Sequence, residues 1–210
     1  MNAQAKARRL RADEHRAALV EAATARFAAD TYGGVRVQDI VADAGVSLTT
    51  FYKDFDDREA CLHACFLVMR DELMGVILTA SAEENNPRLR TRALIGAVLT
   101  HLDTNPDQAR LLLLETIGGS PRTVDELWKM LAELGVFVDS LNVRAVEEGT
   151  ARPIELDDVG LFVAGGLYTV IAHHLRAGTL GDLRRDEDAL DGVVDALYAA
   201  TAALIDRSEG

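Results

Sequence analysis

The sequence predicts an all-α protein of about nine helices. Three observations carry that reading. Nearly half of the 210 residues are apolar, only four are proline, and apolar residues recur at three- and four-residue spacing along most of the chain. No alternating strand pattern of useful length interrupts them, and no repeat of fixed period is present.

Leu19, Ala23 and Phe27 recur every four residues and predict a first helix over about 13–30, ended by the turn signal TYGGV at 31–35. Val37, Ile40, Val41 and Ala44 fall at i, i+3, i+4 and i+7 and predict a short second helix. Gly45 is the turn after it, and Ser47 is placed to cap a third helix running to about Phe55. Asp57 is an N-cap for a long fourth helix through REACLHACFLVMRDELMGVILTA. Further helices are expected over about 88–103, from Pro106 through DQARLLLLETI to Gly118 and Gly119, over 121–148, over about 156–177, and over about 186–207.

Charge is unevenly distributed. The chain carries a net −12, but residues 1–60 hold nine basic and ten acidic groups, while residues 61–210 hold thirteen and twenty-four. Residues 1–11 carry Lys6, Arg8, Arg9 and Arg11 with no acid, so a basic N-terminal arm is expected. No apolar run is long enough to span a bilayer and no signal peptide is evident, so no membrane partner and a cytoplasmic location are expected. Cys61 and Cys65, one helical turn apart, are read as buried thiols rather than a disulfide or a metal site. No nucleophile elbow, phosphate loop or metal-ligand spacing supports an enzyme, and neither a cofactor nor a metal is expected.

Two helices joined by a tight glycine turn are the helix-turn-helix pattern, whose second helix enters the DNA major groove. On residues 47–55, Phe51 and Phe55 are four apart and with the preceding Val46 form a packing side. Leu48, Thr49, Tyr52 and Lys53 form the opposite side, with groups suited to thymine methyls, base acceptors and phosphates. Ser47, Leu48, Thr49, Thr50, Tyr52 and Lys53 are therefore the candidate DNA-contacting residues. Arg58 at the start of the fourth helix and Arg8, Arg9 and Arg11 on the arm are candidate phosphate contacts.

The stretch VQDIVADAGVSLTTFYKDFDDREACL resembles the N-terminal domain of TetR-family transcriptional regulators. The AGVS turn, Thr50-Phe51-Tyr52, Phe55, Arg58-Glu59 and Leu62 carry the resemblance, which covers about 45 residues with the first helix included. It implies a DNA-binding domain at 1–58 with a helical ligand-binding and dimerisation domain at 59–210. It also implies a homodimer on a palindromic, double-stranded DNA operator, controlled by a small-molecule effector; a repressor released by that effector is the expected function. Val37, Leu48, Thr49 and Asp54 depart from the residues common in the family, and Asp56 and Asp57 add further negative charge. These acids motivate a second reading, a helical dimeric interaction or ligand-sensing protein that has lost sequence-specific DNA binding.

In the larger domain, LFVAGGLYTVIAHHL is apolar nearly all round, and Gly165 and Gly166 within it suit close helix approach. Phe162, Gly165, Gly166, Leu190, Val194, Leu197 and Leu204 are expected at a four-helix dimer interface. His101, Glu115, Trp128, Phe137, Phe162, Tyr168 and His173 are candidate ligand-pocket residues. Glu115 on its apolar helix needs a partner, for which Arg110, Arg144 or a ligand cation are available.

Overall fold

The computed structural model describes residues 3–30, 32–82, 84, 86–118, 120–149 and 158–205. Ten helices and no strand occur among the described residues, so the all-α expectation holds. They are α1 (Ala3–Ala29), α2 (Val37–Asp43), α3 (Leu48–Asp54), α4 (Arg58–Ala82) and α5 (Pro87–Thr104). Then come α6, α7 (Pro121–Glu147), α8 (Val159–Ala177), α9 (Leu180–Arg185) and α10 (Glu187–Ile205). Helix α6 joins three segments, Pro106–Arg110, a π-helical Leu111–Glu115 and a last turn Thr116–Gly118.

Two differences from the sequence reading have clear causes. Residues 3–11 are helical rather than an extended arm, because Ala, Gln, Lys, Arg and Leu are strong helix formers and no glycine or proline stops α1. The short α9 was not expected, since its six residues contribute too little periodicity to stand apart from the α10 pattern.

The chain forms two compact units. The first holds residues 1–70 and 107–125. In it α1, α2 and α3 pack on one another around Leu19, Ala23, Phe27, Ile40 and Phe51, with Phe55, Cys61, Cys65 and Phe66 also buried. Burying such side chains contributes roughly 1.5–3 kcal/mol each. The two thiols are free. Their mutual hydrogen bond and burial push the Cys61 thiol up, the direction of an inert group.

Helix α6 departs from α-geometry at Leu111–Glu115. The Leu111 carbonyl accepts from the Thr116 backbone N–H and from the Thr116 hydroxyl at 2.7 Å. The added residue per turn sets Glu115 beside Arg110, which it meets at 3.1 Å. The carboxylate that needed a partner therefore finds one five residues back on its own helix.

The second unit holds residues 71–106 and 126–210. Here α9 and α10 pack against α5, and both also meet α8. Ile95, Val98, Leu99 and Leu102 of α5 are buried together with Leu180, Leu183, Leu190 and Val194. Arg88 pairs with Asp195, Arg92 with Asp191 and Arg184 with Asp103, so ion pairs fringe the α5 packing. A close helix approach in this unit involves two glycines, Gly135 and Gly160. A Cβ on Gly160 of α8 would lie 2.0 Å from the Gly135 carbonyl oxygen of α7. The Gly160 N–H donates to Asp139 Oδ1 at 2.9 Å at the same place.

Candidate nucleic-acid interface

The first unit presents α3 with one face inward and one outward. Gly45, between α2 and α3, has φ +65°, a left-handed conformation that glycine adopts without a Cβ penalty. The chain then extends through Ser47, whose Oγ accepts from the Thr50 N–H at 3.1 Å and lies 2.9 Å from the Thr50 hydroxyl. This is the cap expected from the sequence, and it sets where α3 begins. Helix α2 has no such cap: Arg36 precedes Val37 without a side-chain bond, and its guanidinium instead pairs with Asp39 in the first turn.

Phe51 is fully buried and packs on Phe55 at 5.4 Å between ring centroids, so the inner face is as expected. On the outer face Leu48, Thr49, Tyr52 and Lys53 are all exposed, Tyr52 by 57%. The Tyr52 ring meets Phe51 edge-on at 5.3 Å, which holds the phenol at a defined place on the helix. Ser47 is exposed and Thr50 half-buried, both engaged in the cap.

Arg58 does something the sequence did not suggest. Its guanidinium lies over the Tyr32 ring at 4.2 Å, and Nη1 donates to the Val35 carbonyl and, at 3.4 Å, to the Gly33 carbonyl. The side chain ties the loop after α1 to the first turn of α4. A guanidinium so engaged is a positioning group rather than a free phosphate contact. Asp57 Oδ1 accepts from the Ala60 N–H at 2.7 Å, which makes it the expected cap of α4.

A further cation was missed. Arg16 on α1 donates to the Asp54 carbonyl at 3.3 Å and lies 4.6 Å from the Phe55 ring centroid. Its positive charge sits at the C-terminus of α3, beside the acid that seemed out of place on this face. The signal was hidden because α1 and α3 meet only in the folded chain. Arg9 and Arg11 are exposed on α1, and the side chain of Arg8 lies outside the described residues.

The candidates in the rest of the chain differ in exposure. His101, Phe137 and Tyr168 are half-buried, whereas Trp128 is 63% exposed and Phe162 51%, and His173 is exposed. Glu115 is engaged with Arg110. Leu190 and Val194 are buried within the chain itself, Val194 completely, so they fill this chain's own core rather than facing a second copy. Leu197 is half-buried, and the Leu204 side chain lies outside the described residues. Gly165 and Gly166 have nothing within 4 Å of a built Cβ among the described residues, so their expected close approach is not made there. No group of three or more metal-ligating side chains occurs among the described residues. Nor is any described helix long and apolar enough to cross a membrane.

A short helix, a left-handed glycine turn and a capped second helix with an exposed polar face define a helix-turn-helix DNA-binding domain. Residues 19–65 match the family model described as bacterial regulatory proteins, tetR family, so the N-terminal domain is of the TetR-family type. The chain's fold is similar to solved structures across most of its length. One is the fatty acid degradation regulator FadR from Bacillus halodurans, at 18% identity and TM-score 0.72, covering 89% of this chain and 94% of that one. A second, a putative TetR-family regulator from Shewanella sp. PV-4, has 18% identity and TM-score 0.71, covering 89% and 97%. A third is the transcriptional regulator FadR from Bacillus subtilis in complex with stearoyl-CoA. It has 17% identity and TM-score 0.67, covering 90% and 98%. No curated protein matches the sequence.

Proposed function

We propose that this chain is a ligand-responsive regulator that binds a palindromic operator as a homodimer and is released from it by a small molecule, acting as a repressor. The observation that carries the reading is the division of α3 into a buried aromatic side and an exposed side of Leu48, Thr49, Tyr52 and Lys53. Leu48 and Thr49 offer an apolar group and a methyl-bearing hydroxyl to base edges. Tyr52 and Lys53 offer a phenol and an ammonium to phosphates. Ser47 and Thr50 fix the start of the helix, Arg58 fixes the loop behind it, and Arg9 and Arg11 add positive charge on α1.

Control by a small molecule is supported by the fold, since one similar structure, that of FadR from Bacillus subtilis, was solved with stearoyl-CoA. Ligand would favour a conformer whose two recognition helices no longer match successive major grooves, about 34–36 Å apart. Half-buried His101, Phe137 and Tyr168 remain pocket candidates in the second unit. The dimer reading rests on Phe162 of α8, which is exposed, and on Gly165 and Gly166, where a built Cβ would meet nothing within 4 Å among the described residues.

Fluorescence anisotropy with the DNA upstream of the chain's own coding sequence tests the proposal. Binding is expected to weaken steeply with salt, by about one power of salt concentration per phosphate contact. Asp54, Asp56 and Asp57 favour the second reading, an interaction protein without DNA recognition. That reading predicts no salt-dependent binding in the same titration.

A further inference from the structure

The second unit contains a cation without a counterion among the described residues. Arg90 on α5 is only 2% exposed, and its Nη1 has no hydrogen-bond partner. Its neighbours two residues away on each side are satisfied: Arg88 by Asp195, and Arg92 by Asp191 and Glu187, all three acids on α10. Two residues along a helix is about 200°, so Arg90 points away from that acidic face. It lies instead on the stripe of Leu94, Val98 and His101, which is buried or half-buried. No carboxylate among the described residues pairs with it.

A buried guanidinium cannot escape its burial cost by losing a proton, as a lysine or histidine would. Leaving it charged and unpaired in an apolar surrounding is strongly unfavourable, whereas a planar oxyanion can meet it through two parallel N–H···O bonds. We propose that Arg90 is the anion-recognition group of the second unit and pairs with the carboxylate or phosphate of a small organic effector. The apolar residues beside it on α5 would take the rest of such a molecule. This rests on the reading above that the second unit takes an effector, and it names the effector's chemical class. Because the group is covered in this structure, an anion enters through an open conformer and then populates it.

The test uses the full chain, its Arg90→Met variant and its Arg90→Lys variant, at ionic strength held constant with chloride. Octanoate supplies a carboxylate with an apolar tail, inorganic phosphate the charge alone, and 1-octanol the tail alone. Binding is followed by melting temperature and titration calorimetry. Octanoate or phosphate is expected to raise the melting temperature of the wild-type chain. Their affinity should fall at least tenfold in Arg90→Met, while any octanol binding stays the same. Arg90→Lys, which keeps the charge but not the fork, should fall in between and serves alone if Arg90→Met does not fold. Equal anion affinity in wild type and variants overturns the proposal, as does an anion panel that stabilises none of them. DNA affinity measured alongside separates the two readings. Anion binding that depends on Arg90 but leaves DNA affinity unchanged keeps the site and refutes control by effector. Anion-sensitive DNA binding that persists in Arg90→Met does the reverse.

Discussion

The Arg58 guanidinium lies 4.2 Å from the Tyr32 ring centroid, joining the loop after α1 to the first turn of α4. Together with its bonds to the Val35 and Gly33 carbonyls, this makes Arg58 a brace behind the recognition helix.

Arg58→Ala is therefore expected to destabilise the chain by about 2 kcal/mol, from the lost charged hydrogen bond and cation–π contact. The salt dependence of DNA binding should not change. Lys53→Ala, by contrast, should leave stability alone and reduce the slope of log affinity against log salt by about 1. Urea unfolding and anisotropy titrations on both variants check the assignment. A reduced slope in Arg58→Ala would return that residue to the phosphate contacts.

Asp43 pairs with Arg26 through two bonds, and that hydrogen bond, with the attraction of the charge, holds its carboxyl below the ordinary carboxylate range. A lowered folded pKa contributes stability that is complete above the unfolded value of about 3.9 and is lost as pH falls through the folded value. Wild type should accordingly exceed Asp43→Asn in stability at pH 6, and the difference should be smaller at pH 3. Both groups are exposed, so the effect is small and screened by salt. Urea midpoints at the two pH values and at low salt measure it.

The glycines of α8 divide into two kinds. Gly160→Ala puts a Cβ 2.0 Å from a backbone oxygen, which only a shift of α7 or α8 can relieve. A loss of about 3 kcal/mol is expected, at the upper end of overpacking costs. Gly165→Ala meets nothing among the described residues and should raise helix stability by about 1 kcal/mol. If a second copy packs there, the same change weakens self-association in sedimentation experiments. Unchanged self-association would remove Gly165 from the interface.

Local features were legible in the sequence because their partners lie within a few residues. Ser47 and Asp57 as caps, Gly45 as the turn and the Phe51–Phe55 inner face all follow from spacing. What escaped was set by tertiary packing. The helical spacing of Leu190 and Val194 says that they are buried, but not whether this chain or another covers them. The Arg16 contact with Asp54 crosses 38 residues, and the approach of Gly135 to Gly160 joins two helices that each read simply as apolar. The π-turn at Leu111–Glu115 left no mark because LLLLE suits an α-helix equally well.

The exposed side of α3 is proposed to read DNA. The most direct measurement is the affinity of the double variant Thr49→Ala with Tyr52→Phe for the upstream DNA, with melting temperature recorded in parallel. Both side chains are exposed and form no part of the core, so the fold should be unaffected. The expected result is at least a tenfold loss of affinity, since each polar contact to DNA contributes on the order of 1 kcal/mol. Unaltered affinity in a stably folded double variant would contradict the claim.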